Sequence, residues 1–197
     1  MWLYCGITSR TAVSVLAQYV NTIASGRAIP QLIRSDRGAE TTIAADAHYQ
    51  LSQKTRESLD ELPFGQCYKY GTSKENARVE SWWGQMCKSS IGRWRDAFQQ
   101  LSRHGQYDDD LVIDRIAFLA VYIPIIRQEA IEFVYLWNKH RIRRQKNRPH
   151  SVPGIPAMLY NYPAASGGEQ CGLPVSPELI EPFQRDLLGF DIEEYLP

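Results

Sequence analysis

The first 36 residues restrict the fold more than any other stretch, because a strand-forming run, a helical spacing and a second strand follow one another within them. Trp2 to Ile7 is short, apolar and rich in strand formers. Arg10 to Ser25 then places Val13, Leu16, Ala17, Val20 and Ile23 on one helix face, and Gly26 is the natural stop. Ile29 to Ile33 forms the next strand and runs into the polar turn Ser35-Asp36-Arg37-Gly38. Strand, helix and strand in that order make one crossover unit of an α/β domain. Asp36 is thereby placed at the C-terminal end of a strand.

Alternation continues downstream. Residues 43–60 suit a helix with Ala44, Ala47, His48 and Leu51 on one side, and Phe64 to Tyr70 reads as another short strand. From Asn76 to Gly105, the residues Val79, Trp83, Met86, Ser90, Trp94, Ala97 and Leu101 recur at helical intervals, with Thr72 and Ser73 available as caps. A further helix follows Asp108-Asp109-Asp110 and runs to Trp137, with Pro124 set to kink it or divide it. Pro149, Pro153, Pro156 and Pro163 then punctuate a coil-like segment, and residues 164–197 show no periodicity. The expected organisation is a core over 1–105, C-terminal helices over 106–148 ending in a basic run, and a proline-punctuated segment with an irregular acidic tail over 149–197.

Charge is distributed unevenly. The formal net charge is +0, yet residues 1–150 hold 21 Lys and Arg against 15 Asp and Glu, whereas residues 151–197 hold 1 against 7. A modestly basic body is compatible with a polyanionic partner, and equally with an ordinary soluble protein. Cys5, Cys67, Cys87 and Cys171 lack the close pairing of a zinc or redox motif, and none of the 4 histidines adds ligand spacing, so the cysteines read as reduced thiols. Met1 to Thr8 is too short for a membrane span and lacks a signal peptide's basic flank, which predicts an intracellular protein without membrane attachment.

Two carboxylates stand out by context. Asp36 ends a strand in Arg-Ser-Asp-Arg-Gly-Ala-Glu, and Glu80 lies one turn into a helix in Asn-Ala-Arg-Val-Glu-Ser-Trp-Trp. A hard divalent cation takes such oxygens from rigid elements. An Asp that caps its own turn and a Glu that complements a helix dipole would give the same pattern.

Ser-Asp-Arg-Gly-Ala-Glu, followed by Tyr-Gly-Thr-Ser-Lys-Glu-Asn-Ala-Arg-Val-Glu-Ser-Trp-Trp, resembles the integrase catalytic core, the family of retroviral integrases and related transposases. The later segments Trp137 to Arg143 and Gly154-Ile155-Pro156 resemble the integrase cores of transposon-derived eukaryotic proteins, extending the similarity over residues 2–163. The resemblance implies a ribonuclease H-like mixed sheet flanked by helices, DNA as partner, and DNA integration by two-metal phosphoryl transfer. It further implies Mg2+ or Mn2+ held by three carboxylates, with Asp36 matching the second position and Glu80 the third. Multimer formation and, for a eukaryotic protein, a nuclear location follow from the same likeness.

The family's first Asp lies on the opening strand, whereas the first 35 residues here contain neither Asp nor Glu. Only one strand and one helix precede the Asp36 strand, which reads as an α/β core lacking its first strand or strands through truncation or a misplaced gene start. Weak metal binding and little or no strand transfer are the expectation for this chain alone, with Glu40 as a further acidic neighbour. The alternatives are a non-catalytic nucleic-acid-binding or interaction remnant, and a nuclease acting on RNA with the same fold and metals.

Lys139, His140, Arg141, Arg143, Arg144 and Lys146 form a basic run beside Trp137 that could contact phosphates, and Lys74 and Arg78 are further candidates beside Glu80. Cations complementing a helix C-terminus, or ordinary surface ion pairs, account for them equally well. Trp83 falls on the apolar stripe and reads as core, with Trp82 undecided. Asp108 to Asp110 reads as a charged helix start ahead of a metal site.

Overall fold

The computed structural model describes residue 5 and residues 11–56, 61–71, 77–144, 146 and 152–189. The chain divides into two compact units. An α/β unit joins residues 6–83 to 171–195, and a helical unit is built around residues 84–170.

In the α/β unit, α1 (Ala12–Gly26) starts where Thr11 Oγ1 accepts the backbone N–H of Ser14 at 3.2 Å. It ends at Arg27, one residue beyond the expected glycine, in the left-handed region with φ 49°. Leu16, Ala17, Val20 and Ile23 are buried as their spacing predicts, whereas Val13 is exposed. The single strand expected over 29–33 is two short ones. β1 (Ala28–Pro30) and β2 (Ile33–Ser35) flank Gln31 and Leu32, and Pro30 supplies no backbone donor with which to continue a ladder.

A 3-10 turn, Ala39–Thr41, leads into α2 (Thr42–Arg56), which buries Ala44, Ala45, Ala47, His48, Leu51 and Ser52. The short helix α3 (Phe64–Cys67) delivers β3 (Tyr68–Tyr70), so only the end of the expected 64–70 strand is extended. β2 and β3 pair in parallel, Ile33 opposite Tyr68 and Ser35 opposite Tyr70. β1 pairs antiparallel with β4 (Gly172–Pro174), Ile29 opposite Leu173, and α8 (Pro177–Asp186) follows. The tail expected to be irregular thus holds a strand and a helix; Val175 and Ile180 are buried, and Leu179, Ile180, Phe183 and Leu187 recur at three- and four-residue intervals, a helical period the sequence reading missed.

The main core gathers Leu16, Val20, Ile23, Ile29, Leu51, Val175 and Ile180, and a second cluster holds Ala45, Leu62, Cys67 and Tyr68. Full burial of an aliphatic side chain such as Val20, Ile29 or Leu51 contributes about 1.5–3 kcal/mol. The architecture is α/β and helix-rich. Where one mixed sheet was expected, the described residues form two two-stranded sheets, and the expected first strand falls almost wholly outside them.

Beyond residue 76, α4 (Ala77–Met86), a π turn (Cys87–Ile91) and α5 (Gly92–Arg103) follow without a break. The covered positions run Trp82, Met86, Ser90, Trp94 and Phe98, a spacing of four that drifts about 40° per step around an ideal helix. The π turn, closed by the Gly92 N–H on the Cys87 carbonyl, takes back part of that drift. A Cβ at position 92 would lie 2.5 Å from that same oxygen, so the turn requires glycine.

In the helical unit, α6 (Val112–Lys139) passes through Pro124 as one helix and is not divided there. One face packs Phe118 and Tyr122 edge-to-face on Phe98, with ring centroids 4.5 and 5.0 Å apart, and Glu129 accepts the Trp94 indole N–H at 2.7 Å. The proline-punctuated segment contains α7 (Pro156–Asn161) and a 3-10 turn at Pro163–Ser166. No described helix is long and apolar enough to cross a membrane.

Candidate metal centre

Because β2 and β3 are parallel, their C-terminal ends open on one side of the pair, where the Gly71 N–H donates to the Ser35 carbonyl at 2.8 Å. Asp36 is the next residue along from β2. From Gly71 the chain passes through residues 72–76, outside the described set, into α4, whose first turn carries Glu80. The loop bearing Asp36 is pinned from within the unit. Tyr68 Oη donates to Ser35 Oγ at 2.9 Å, Ser35 Oγ donates to the Asp36 carbonyl at 2.8 Å, and Thr41 Oγ1 donates to the Gly38 carbonyl at 2.8 Å. Bonds of this kind contribute about 1 kcal/mol each and fix a backbone on which a carboxylate is presented to solvent.

Asp36 and Glu80 are both exposed, and among the described residues neither carboxylate has a hydrogen bond or ion pair. Glu40 is half-buried in the following 3-10 turn, its carboxylate folded over Gly38 so closely that a Cβ there would collide with it. Among the described residues, neither Asp36 nor Glu80 belongs to a group of three carboxylate, histidine or cysteine ligands close enough to hold an ion. The one such group among the described residues, with ligand atoms within 4.8 Å of one another, is Asp108, Asp109 and Asp110, in the helical unit. These carboxylates serve their own backbone, Asp108 Oδ1 accepting from the Asp110 N–H at 3.0 Å and Asp114 Oδ2 from the Asp108 N–H at 3.1 Å, as a helix start does. The described donor set therefore does not complete a two-metal cluster, which needs several bridging oxygens.

The basic run is laid out differently from a simple helix end. His140 caps α6, its Nδ1 2.5 Å from the Trp137 carbonyl, and the chain then extends through the antiparallel bridge of Ile142 with Gly154. Lys139, His140, Arg141, Arg143, Arg144 and Lys146 are all exposed, and among the described residues none pairs with a carboxylate. Lys139 bonds Tyr135 Oη and sits 4.0 Å from that ring's centroid. Lys74 lies outside the described residues, and of Arg78 only its place in the first turn of α4 is described.

Two features escaped the sequence. Trp82 is the buried indole, at 5% exposure, whereas Trp83 is 43% exposed, so the apolar stripe runs one residue off the expected phase. His48 is fully buried, with Tyr19 Oη 2.8 Å from Nδ1 and Ser52 Oγ 3.4 Å from Nε2. Burial holds its pKa down to about 4, the nearby Arg56 charge adding to that effect and a backbone hydrogen bond at Cys67 opposing it. His48 is a neutral core strut between α1 and α2. The helical spacing of residues 43–60 marked its face, but no sequence signal joins residue 19 to residue 48.

No curated relative and no solved structure matches the chain. The integrase core domain family matches residues 1–161, a span that contains the Asp36 loop, Glu80, α6 and the basic run. With that match over most of its length, the chain belongs to the integrase core domain family.

Proposed function

We propose that this chain is the integrase core of a mobile-element-derived protein, engaging DNA through its basic run and presenting Asp36 and Glu80 as two of the carboxylates that its family uses to hold divalent metal. Integrase cores of this kind join DNA ends to target DNA with Mg2+ or Mn2+; the reading for these 197 residues by themselves is weak metal binding and no joining. The observation that carries it is that Asp36, next after β2, and Glu80, in the first turn of α4, are each exposed and unpartnered among the described residues, and that neither belongs to a convergent group of three ligands there. Arg141, Arg143, Arg144 and Lys146, free of carboxylates among the described residues, supply cationic charge for phosphates without need of a metal.

The test is a manganese-dependent nicking and strand-transfer assay on this chain, on a version extended N-terminally by an Asp-bearing strand, and on Asp36→Asn and Glu80→Gln in the extended version. Joining by the extended version alone, abolished by either substitution, supports the reading. Joining by the 197 residues unaided, or activity that survives both substitutions, refutes it. A chain that binds DNA in every version and joins it in none is the binding remnant, in which Asp36 and Glu80 have no catalytic part.

A further inference from the structure

Three aromatic rings lie together on the α/β unit without being covered by it. Phe64 opens α3, Tyr70 closes β3 and Tyr49 reaches them from α2. The Phe64 and Tyr70 rings are within 24° of parallel, with centroids 6.2 Å apart, and Tyr49 meets Phe64 at 5.6 Å and 58°. Phe64 is 37% and Tyr70 36% exposed, while Tyr68, which touches both, is buried and fixes the shelf to the core.

The charge beside this shelf is negative. Glu61 Oε1 accepts the Tyr49 hydroxyl at 3.1 Å, which leaves the other carboxylate oxygen open among the described residues. Asp46 stands close to one helical turn before Tyr49 on α2, where it accepts the Gln50 side-chain amide at 2.7 Å. Both carboxylates are exposed, and among the described residues neither is paired with a cation. Lys69 lies between Tyr68 and Tyr70 on β3, and strand alternation sends it to the opposite face.

We propose that the shelf binds an arginine side chain of a partner polypeptide, with the guanidinium flat on Phe64 and Tyr70 and paired with Glu61. A cation within about 6 Å of a ring centroid is drawn to the ring's negative face. Arginine suits this site better than lysine, because its planar group stacks on the ring while its edge donates two parallel hydrogen bonds to one carboxylate. Glu61 and Asp46 repel the phosphates of a nucleic acid, so a basic peptide fits where a stacked base does not. Tyr70 is followed by Gly71, whose N–H donates to the Ser35 carbonyl, so a bound peptide is held near the Asp36 loop. The contact uses neither metal nor DNA, and its failure leaves the functional reading intact.

The test is fluorescence anisotropy of the full chain with a labelled Gly-Arg-Gly-Arg-Gly peptide, its lysine counterpart, and a labelled oligothymidylate. The arginine peptide is expected to bind at about 10–500 μM, as suits a contact of this size, and about fivefold more tightly than the lysine peptide. Phe64→Leu should weaken it about tenfold. Glu61→Gln, at an exposed position that the fold does not depend on, should weaken it about fivefold. Lys69→Gln on the opposite face should change nothing, and oligothymidylate should bind wild type and Phe64→Leu alike. Far-UV circular dichroism confirms that each variant is folded. No saturable binding of the arginine peptide below about 1 mM, equal affinity for the lysine peptide, or undiminished affinity in both Phe64→Leu and Glu61→Gln overturns the proposal. Loss of oligothymidylate binding in Phe64→Leu makes the shelf a base-stacking surface and overturns it equally.

Discussion

His48 makes the stability of the α/β unit depend on pH in a definite direction. Its pKa is lowered to about 4 in the fold, from 6.5 for an ordinary histidine. Above pH 6.5 the side chain is neutral whether the chain is folded or not, and it contributes no slope. Between 6.5 and 4 the unfolded chain takes up a proton that the fold excludes, so stability falls as pH falls; below about 4 both states are protonated and the loss is complete. At 1.36 kcal/mol per pH unit, the descent from about pH 7 to about pH 5 removes about 2 kcal/mol and the full window about 3 kcal/mol. His48→Gln keeps a polar group near Tyr19 and Ser52 but cannot titrate. The assay is hydrogen exchange of α2 amides from about pH 7 to about pH 4.5, corrected for intrinsic exchange, in wild type and variant. The variant should lose about 2 kcal/mol less than wild type on reaching about pH 5. Equal slopes in the two proteins would show that the histidine is charged or solvated in the fold, and the argument from burial would fail.

Trp82→Ala should cost about 3–5 kcal/mol and Trp83→Ala no more than about 1, read by urea unfolding; the reverse order would restore the uninterrupted helical phase. Gly92→Ala forces a Cβ onto the Cys87 carbonyl and should cost about 1–3 kcal/mol, lowering the melting temperature and altering near-UV dichroism as the π turn closes. A native spectrum at unchanged stability would show the turn to be dispensable. Arg141→Ala, Arg143→Ala and Arg144→Ala should each weaken DNA binding without sequence preference and lower the salt slope by about 1. An unchanged slope in all three would remove the run from the interface. Asp36→Asn and Glu80→Gln, both at exposed positions, should move the melting temperature little.

The helices were legible where amphipathic spacing was long, as at Leu16, Val20 and Ile23 in α1, because burial on one face leaves a record at every turn. Asp36 and Glu80 were found as a strand-end and a first-turn carboxylate, positions set by local pattern, and the structure keeps them there. Strands of three residues carry too few side chains to show a period, so the split between β1 and β2 and the short helix before β3 went unseen. Trp83 was misread for a physical reason: one π turn shifts the phase of everything around it, and a uniform period of about 3.6 residues cannot register that. Contacts between distant segments, Tyr19 with His48 or Ile29 with Leu173, have no local signature at all.

The pairing of β1 with β4 has a consequence for how the chain is made. Ile29 emerges from the ribosome early, and the residues that cover it, Leu173, Val175 and Ile180, emerge near the end of synthesis. The helical unit is complete in between, so the α/β unit must wait with an unpaired strand and an apolar core open to water, the kind of surface that chaperones hold and that aggregates when they do not. A chain stopped at residue 161, where the family match ends, would remain in that condition permanently.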